Sequence, residues 1–490
     1  MSRSEHLLAV IYAAVGIETG WGHFVRCSAL ADALVEEGWQ VDFLHSPDAK
    51  LTDGVLSSAS FNLIPLEYPI DDVRTRTDLS LRYADGCELL ILDDYAIDAT
   101  VEALFGPWAR RVLVMEDRLG RAHECDLILD PTPDRVRQDY IAELNASTAV
   151  LTGARHALLR DGFHSIQHSP ASPPRVLVSL GATDPDNATC GVLDALTGIT
   201  VDVVLAGTAP FLDEVRRKVE KCGADSVLHV DVTPQQLAQL MARCTLAVGA
   251  GGSGAWERCA AGLPSVVIET ADNQSDVIGA VLRHGAAVDG GELSVLVGGL
   301  LKDATRCSKM SIAGRQLCDG LGASRVARML TGIPIRDGGK LTLRPAAPGD
   351  CARMFDWQRH RATRRFANQS VAPSWTEHQS WFDAKMDDSE NLIYMAELDG
   401  VPSGVLRLDV DGRETWRVSI YVAPEDHGRG IGRALLELGH SIWPRHTFTA
   451  EVLADNEVSH KLFVGSAYQL IDGLYRRQAS QFENRQTDPQ

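Results

Sequence analysis

The 490-residue sequence contains no C-x-x-C pair and no cysteine–histidine cluster at zinc spacing; its ten cysteines are scattered singly. That excludes a zinc module and a dithiol redox site, and it predicts free thiols in a reducing compartment, most of them buried as small hydrophobes. No metal is expected. Also missing is any run near the ~20 apolar residues that a membrane span requires. The apolar start, Leu7 to Ile17, is short and runs into a glycine-rich turn, so it reads as a first strand and not as a signal peptide. Positive charge is scarce: 47 Lys and Arg against 66 Asp and Glu give a formal net charge of −19. Nucleic acid and anionic membrane surfaces are therefore excluded as partners, and an anionic ligand must be held by local dipoles and single cations. No repeat of solenoid period is present. A cytoplasmic protein is expected, and nothing in the sequence sets an oligomeric state.

What is present is length enough for about three domains. Strands alternate with helices through residues 1–166 and again through 175–331, which predicts two doubly wound parallel α/β sheets. The Pro/Ser-rich segment Gln167–Pro174 separates them. A helix near Ala323–Leu330 closes the second, and Gly332–Gly339 marks a boundary. From residue 340 to 478 the texture changes to alternating strands and concentrated tryptophan, an α+β domain. Residues 479–490 are polar and expected to be a disordered tail.

The stretch Gly249–Gln274 organises the first two-thirds of the chain. An apolar strand leads into Gly249, Gly251 and Gly252, which allow a sharp turn and close ligand approach. Ser253 is placed as an N-cap of a short helix ending at Gly262. A glycine turn at a helix N-terminus suits a diphosphate. Glu257, one turn in, is placed to accept from ribose hydroxyls, and Asn273 and Gln274 follow the next strand, where ligands of open α/β sheets gather. An earlier strand–turn–helix, Gly20-Trp-Gly22-His23-Phe-Val-Arg26, puts a histidine at a helix start, where the dipole favours the neutral imidazole and hence a base. Asp93-Asp94-Tyr95 ends a strand, and Gly181-Ala-Thr183-Asp184 follows the first strand of the second sheet.

These motifs, in this order over roughly residues 7 to 290, resemble the UDP-sugar hydrolases of pseudaminic acid biosynthesis and their spore-coat polysaccharide relatives, enzymes of GT-B architecture. The resemblance implies that His23 activates the water attacking the sugar's C1, with Asp93, Tyr95 and Asp184 as further catalytic residues. It also implies that Gly22, Arg26, Thr183, Gly251, Gly252, Ser253, Glu257, Asn273 and Gln274 bind UDP and sugar. Departures are Asp94 for a usual histidine, Ala182 for a glycine, and Ala13-Ala-Val15 where charges are common. His123 and Asp126 match a further family segment and read as structural.

In the last domain, the strand Trp416–Val422 leads into His427-Gly-Arg-Gly-Ile-Gly432 and a helix. Successive loop N–H groups at a helix N-terminus can cradle a pyrophosphate. With Asn456-Glu-Val-Ser459 beyond, residues 341 to 476 resemble the GNAT acetyltransferases. The resemblance implies acetyl-CoA as cosubstrate, bound by Tyr421, Val422, His427, Gly428, Arg429, Gly430, Ile431, Gly432, Arg433, Asn456 and Ser459. Phe463 stands where many such enzymes carry the tyrosine that protonates the leaving thiolate. The two resemblances meet in one pathway: acetylation of a UDP-4-amino-sugar, then hydrolytic release of UDP. A glycosyltransferase, or a UDP-sugar-binding module serving the acetyltransferase, are the alternatives.

Overall fold

The computed structural model describes residues 7–14, 22–46, 59–140, 144–366, 371–388, 390–412 and 414–480. The chain forms two compact units. One holds Met1–Asp130, Arg135–Thr152 and Ser324–Gln490, the other Pro131–Asp134 and Gly153–Ala323.

The first unit begins with seven parallel strands: β1 (Leu8–Ala13), β2 (Gln40–His45), β3 (Asn62–Pro65), β4 (Leu89–Asp93), β5 (Val112–Met115), β6 (Leu127–Asp130) and β7 (Ala149–Thr152), in the order β3-β2-β1-β4-β5-β6-β7. Their near-continuous apolar runs are what a strand covered on both faces requires; β4, Leu-Leu-Ile-Leu-Asp, is buried throughout. The helix Gly22–Glu36 follows β1, burying Phe24, Cys27, Leu30, Ala31 and Leu34 at helical spacing. It ends at Gly38, whose φ of +88° no side chain adopts readily.

The second unit repeats the scheme with β8 (Val176–Ser179), β9 (Val201–Leu205), β10 (Val227–Val230), β11 (Leu246–Ala250), β12 (Ser265–Ile268) and β13 (Ala287–Asp289), ordered β10-β9-β8-β11-β12-β13. In both sheets the strand order reverses beside the first strand, between β1 and β4 and between β8 and β11. A crevice opens at such a switch point, outside the carboxyl ends of the strands.

The C-terminal sheet comprises β14 (Ile333–Pro334), β15 (Lys340–Pro345), β16 (Leu392–Leu398), β17 (Val401–Gly412), β18 (Thr415–Val422), β19 (Thr447–Ala450), β20 (Gln469–Ile471) and β21 (Leu474–Arg477), ordered β14-β15-β16-β17-β18-β19-β21-β20. Its strands pair antiparallel except β18 with β19, which run parallel and pair only over Thr415–Arg417 and Thr447–Thr449.

The Gly332–Gly339 segment differs from a plain boundary. Its Ile333 and Pro334 pair with Leu341 and Lys340, and the domain it introduces is tied to the first sheet's layer. Arg111 pairs with Glu397, Arg110 donates to the Asp399 carbonyl at 3.0 Å, and Gly349 N–H donates to the Ala146 carbonyl at 2.8 Å. The helix Gly322–Thr331, expected to close the second sheet, belongs from Ser324 onward to the first unit. Its Arg325 is 2% exposed, donates to the Ile442 carbonyl at 2.9 Å and lies 3.8 Å over the Trp443 ring, while Thr331 accepts from the Trp39 indole at 2.7 Å. Of the expected tail, Ser480 N–H donates to the Pro444 carbonyl at 2.8 Å; residues 481–490 lie outside the described residues.

Candidate functional sites

At the first switch point, β4 delivers Asp93 and the helix Gly22–Glu36 delivers His23 and Arg26. Asp93, 1% exposed, accepts from His23 Nδ1 at 2.6 Å and from Arg26 Nε and NH2 at 2.6 Å each; Cys27 Sγ donates to it at 3.2 Å. Burial alone would raise this carboxyl, but the Arg26 charge and the hydrogen bonds from Arg26 and His23 hold it well below the usual carboxylate range. With Nδ1–H donating to the ionised Asp93, the neutral tautomer of His23 carries its lone pair on Nε2. Arg26 also reaches Asp117 at 2.8 Å, and Asp117 accepts from the Tyr95 hydroxyl at 2.6 Å. Burial, then Asp117, pushes the Tyr95 phenol up, so it stays a donor. The Tyr95 ring meets the His23 ring edge-on at 4.9 Å, with the Arg118 guanidinium 3.6 Å from its centroid.

Asp117 and Arg118 belong to none of the sequence motifs above. Their signal was position, just past the carboxyl end of β5. Asp94, in the usual histidine's place, accepts from Ala96 N–H at 2.8 Å and from the Tyr12 hydroxyl at 3.3 Å. His123 is structural, clamped between Glu102 at 2.7 Å and Glu116 at 3.2 Å, and Asp126 accepts from Val112 N–H. Gly20, Trp21 and Val15 lie outside the described residues.

At the second switch point the glycines serve packing more than backbone reversal. Gly249, Gly251 and Gly252 are not among the positive-φ positions. A Cβ at Gly249 would collide with the Arg258 guanidinium, and one at Gly251 with Ile278; at Gly252 the nearest atom is 4.0 Å away. Close ligand approach is therefore open at Gly252 and closed at Gly251, whose N–H is taken by Gln274 Oε1 at 3.2 Å. Gln274 also ties back to Thr270, and Asn273 is exposed. Ser253 stands before the helix Gly254–Ala261 but makes no side-chain cap; its φ of −53° and ψ of −31° are already helical, which turns the hydroxyl from the N–H groups it would accept from. Glu257 is 9% exposed, with Arg160 at 3.7 Å. Burial raises its carboxyl, and Arg160 and Arg258 only partly offset this. Arg258, buried beneath the glycine turn, donates to the Ala250 carbonyl at 2.7 Å and to Ser265 Oγ at 3.1 Å.

Asp184, expected to be catalytic, has both carboxylate oxygens occupied by N–H groups of Ala188 and Thr189, at 3.0 and 2.8 Å. It closes the start of the helix Ala188–Ala195 and leaves Thr183 as the more accessible polar group of that loop.

In the C-terminal domain β18 runs into the loop His427–Gly432. Gly428 and Gly430 sit at φ of +86° and +92°, and the helix Ile431–Ile442 begins at Gly430. A Cβ at Gly428 would meet nothing within 4 Å, so the loop is open at that position. His427 turns back to the Val422 carbonyl at 3.1 Å. Past Arg417, β18 diverges from β19, and among the described residues its edge there has no strand partner. Val422 lies 3.9 Å from where a Gly432 Cβ would stand, so it faces the helix, whereas Tyr421 packs on the opposite face with Trp357. Arg429 and Arg433 pair with Asp426 and Glu437. Asn456 caps the helix Glu457–Gly465 by accepting from Ser459 N–H at 3.1 Å. Phe463 is buried against Tyr468 and Tyr475.

Residues 352–465 match the family model described as Acetyltransferase (GNAT) family. Among curated proteins, the chain is similar to the spore coat polysaccharide biosynthesis protein SpsG of Bacillus subtilis, with 24% identity over 370 residues, 65% of this chain and 96% of the relative. It is also similar to the uncharacterized protein MJ1062 of Methanocaldococcus jannaschii, with 20% identity over 400 residues, 78% of this chain and 79% of that one. Among solved structures, Acinetobacter baumannii MurG aligns over 66% of this chain and 99% of its own, with TM-score 0.47 and 15% identity. The chain carries two Rossmann-like parallel sheets, followed by a domain that matches the GNAT acetyltransferase family. No helix among the described residues is long and apolar enough to cross a membrane.

Proposed function

We propose that the protein is bifunctional: its GNAT domain acetylates the amine of a UDP-4-amino-sugar, and its first two sheets hydrolyse the acetylated UDP-sugar to release UDP, as in pseudaminic acid biosynthesis. The observation that carries the hydrolytic half is the His23–Asp93 pair at 2.6 Å. A binding-only module has no need of an imidazole oriented through Nδ1 by a buried carboxylate. In this reading His23 Nε2 takes a proton from the attacking water, and Asp93, held by Arg26, stabilises the imidazolium that forms. Tyr95, its hydroxyl held by Asp117, packs edge-on against the ring. Gly252, Glu257 and Thr183 bind the UDP and sugar, with Gly251, Gln274 and Asp184 shaping the loops around them.

The acetyltransferase half rests on the match over 352–465 and on the loop His427–Gly432. When bound, acetyl-CoA supplies the activated acetyl group; the loop N–H groups would hold its pyrophosphate. Phe463 offers no proton, so the thiolate is protonated by water or by another group of the domain.

Incubating the protein with UDP-amino-sugars, with and without acetyl-CoA, and following the products by mass spectrometry tests both halves. The reading expects N-acetylation only with acetyl-CoA, then free UDP without any added acceptor. UDP release only on addition of an acceptor would make the enzyme a glycosyltransferase.

A further inference from the structure

The segment joining the first two-thirds of the chain to the acetyltransferase domain reaches the coenzyme loop. Arg336, in the turn between β14 and β15, donates through NH2 to the Gly428 carbonyl at 3.0 Å, and its Cβ stands 3.5 Å from where a Gly430 Cβ would be. Its side chain is 75% exposed, paired through Nε with Asp337 at 2.9 Å. The loop's own cations, Arg429 and Arg433, are engaged by Asp426 and Glu437. In a chain of net charge −19, Arg336 is a cation brought from outside the family-matched span to the lip of a phosphate cradle.

We infer that Arg336 is a coenzyme-binding residue that contacts the phosphates of acetyl-CoA, so that the connecting segment is part of the acetyltransferase site. This rests on the acetyl-CoA reading above. The guanidinium exchanges the Gly428 carbonyl, or the exposed Asp337, for a phosphate oxygen, a stronger charge-assisted partner. The side chain is 75% exposed, so exchanging those partners requires no repacking.

The test uses the full-length protein and calorimetric titration with acetyl-CoA, 3′-dephospho-CoA and acetylpantetheine, for wild type, Arg336→Gln and Arg336→Lys. Arg336→Gln is expected to weaken acetyl-CoA binding by roughly three- to tenfold at low salt, with the gap narrowing as ionic strength rises. Arg336→Lys should recover part of it. UDP binding and acetylpantetheine binding should not change. A deficit kept with 3′-dephospho-CoA assigns the contact to the pyrophosphate, and one lost with it assigns the 3′-phosphate. Equal affinities in wild type and Arg336→Gln, or a deficit indifferent to salt, overturn the inference; the latter would make Arg336 a brace for the Gly428 carbonyl. A wild-type protein that binds no acetyl-CoA overturns the acetyltransferase reading instead.

Discussion

His23 Nδ1 lies 2.6 Å from Asp93 Oδ1, joining a helix start to a strand end 70 residues later in the chain. The same carboxylate holds Arg26 through both of its oxygens, so the acceptor that orients the ring is itself fixed. His23→Ala is expected to lower UDP release from a UDP-diacetamido-sugar by about 10²–10⁴-fold, with UDP affinity within a few-fold of wild type. Initial rates of UDP release and a UDP titration check both; unchanged release removes His23 from the mechanism.

Glu257 is a buried carboxylate at the glycine turn, its nearest cation 3.7 Å away. Glu257→Ala should weaken UDP binding by about 1.5–3 kcal/mol, as expected for hydrogen bonds to a charged acceptor. Equal affinity by calorimetry would return Glu257 to a packing role.

Gly430 adopts φ of +92° at the start of the helix that follows the loop His427–Gly432. Gly430→Trp combines a conformation unfavourable to L-residues with a bulky group in the cradle. Acetyl-CoA binding should be lost while UDP release is retained, so loss of both would show that the substitution unfolds the chain.

Two buried histidines of the first unit give pH dependences of opposite sign. For His123, burial works against the charged form, but hydrogen bonds to Glu102 and Glu116 prevail and push it up to about 9. Its contribution is full below its unfolded pKa of about 6.5 and is lost as pH rises through 9. His440, lowered chiefly by burial to about 3, contributes fully above about 6.5, and that contribution is lost as pH falls toward 3. Each is worth on the order of 1–3 kcal/mol. Thermal melts at pH 4.5, 7 and 9.5 should show His123→Gln flattening the alkaline limb and His440→Gln the acid limb; parallel curves for all three proteins would refute this.

The C-terminal domain cut at residue 340 loses Arg325, stacked on Trp443, and Arg336 at the coenzyme loop. A fragment 322–490 should melt higher than 340–490, by roughly 2–8 °C for a difference of about 1 kcal/mol. It should also bind acetyl-CoA more tightly. Equal melting and affinity would show the domain to be independent of the helix and turn that precede it.

Much of the fold was legible because its signals are local. β4, β16 and β18 are apolar or alternating runs bounded by turn residues, and the helix Gly22–Glu36 is periodic up to a glycine at positive φ. The loops carrying His23, Asp93 and Gly428 were legible for the same reason, each being a strand end followed by glycine or by a helix start. Less legible was what each group in a loop faces. Gly251 and Gly252 look alike in sequence, yet Ile278 and Gln274 close one and leave the other open. Asp184 and Asp93 both follow or end a strand, yet one has its oxygens filled by N–H groups at the start of the next helix and the other by His23 and Arg26.

By itself, then, the sequence determined two α/β domains and an α+β domain, the glycine-bearing loops, and the residue types each loop holds, since periodicity and backbone chemistry act over a few residues. Only the tertiary structure decided that Asp117 completes the His23 cluster, that the helix bearing Arg325 joins the first unit, and that Arg336 meets the loop His427–Gly432. Those contacts join positions 91, 117 and 92 residues apart. Hydrogen-bond partners at such separations follow from how whole layers pack, which no local pattern encodes.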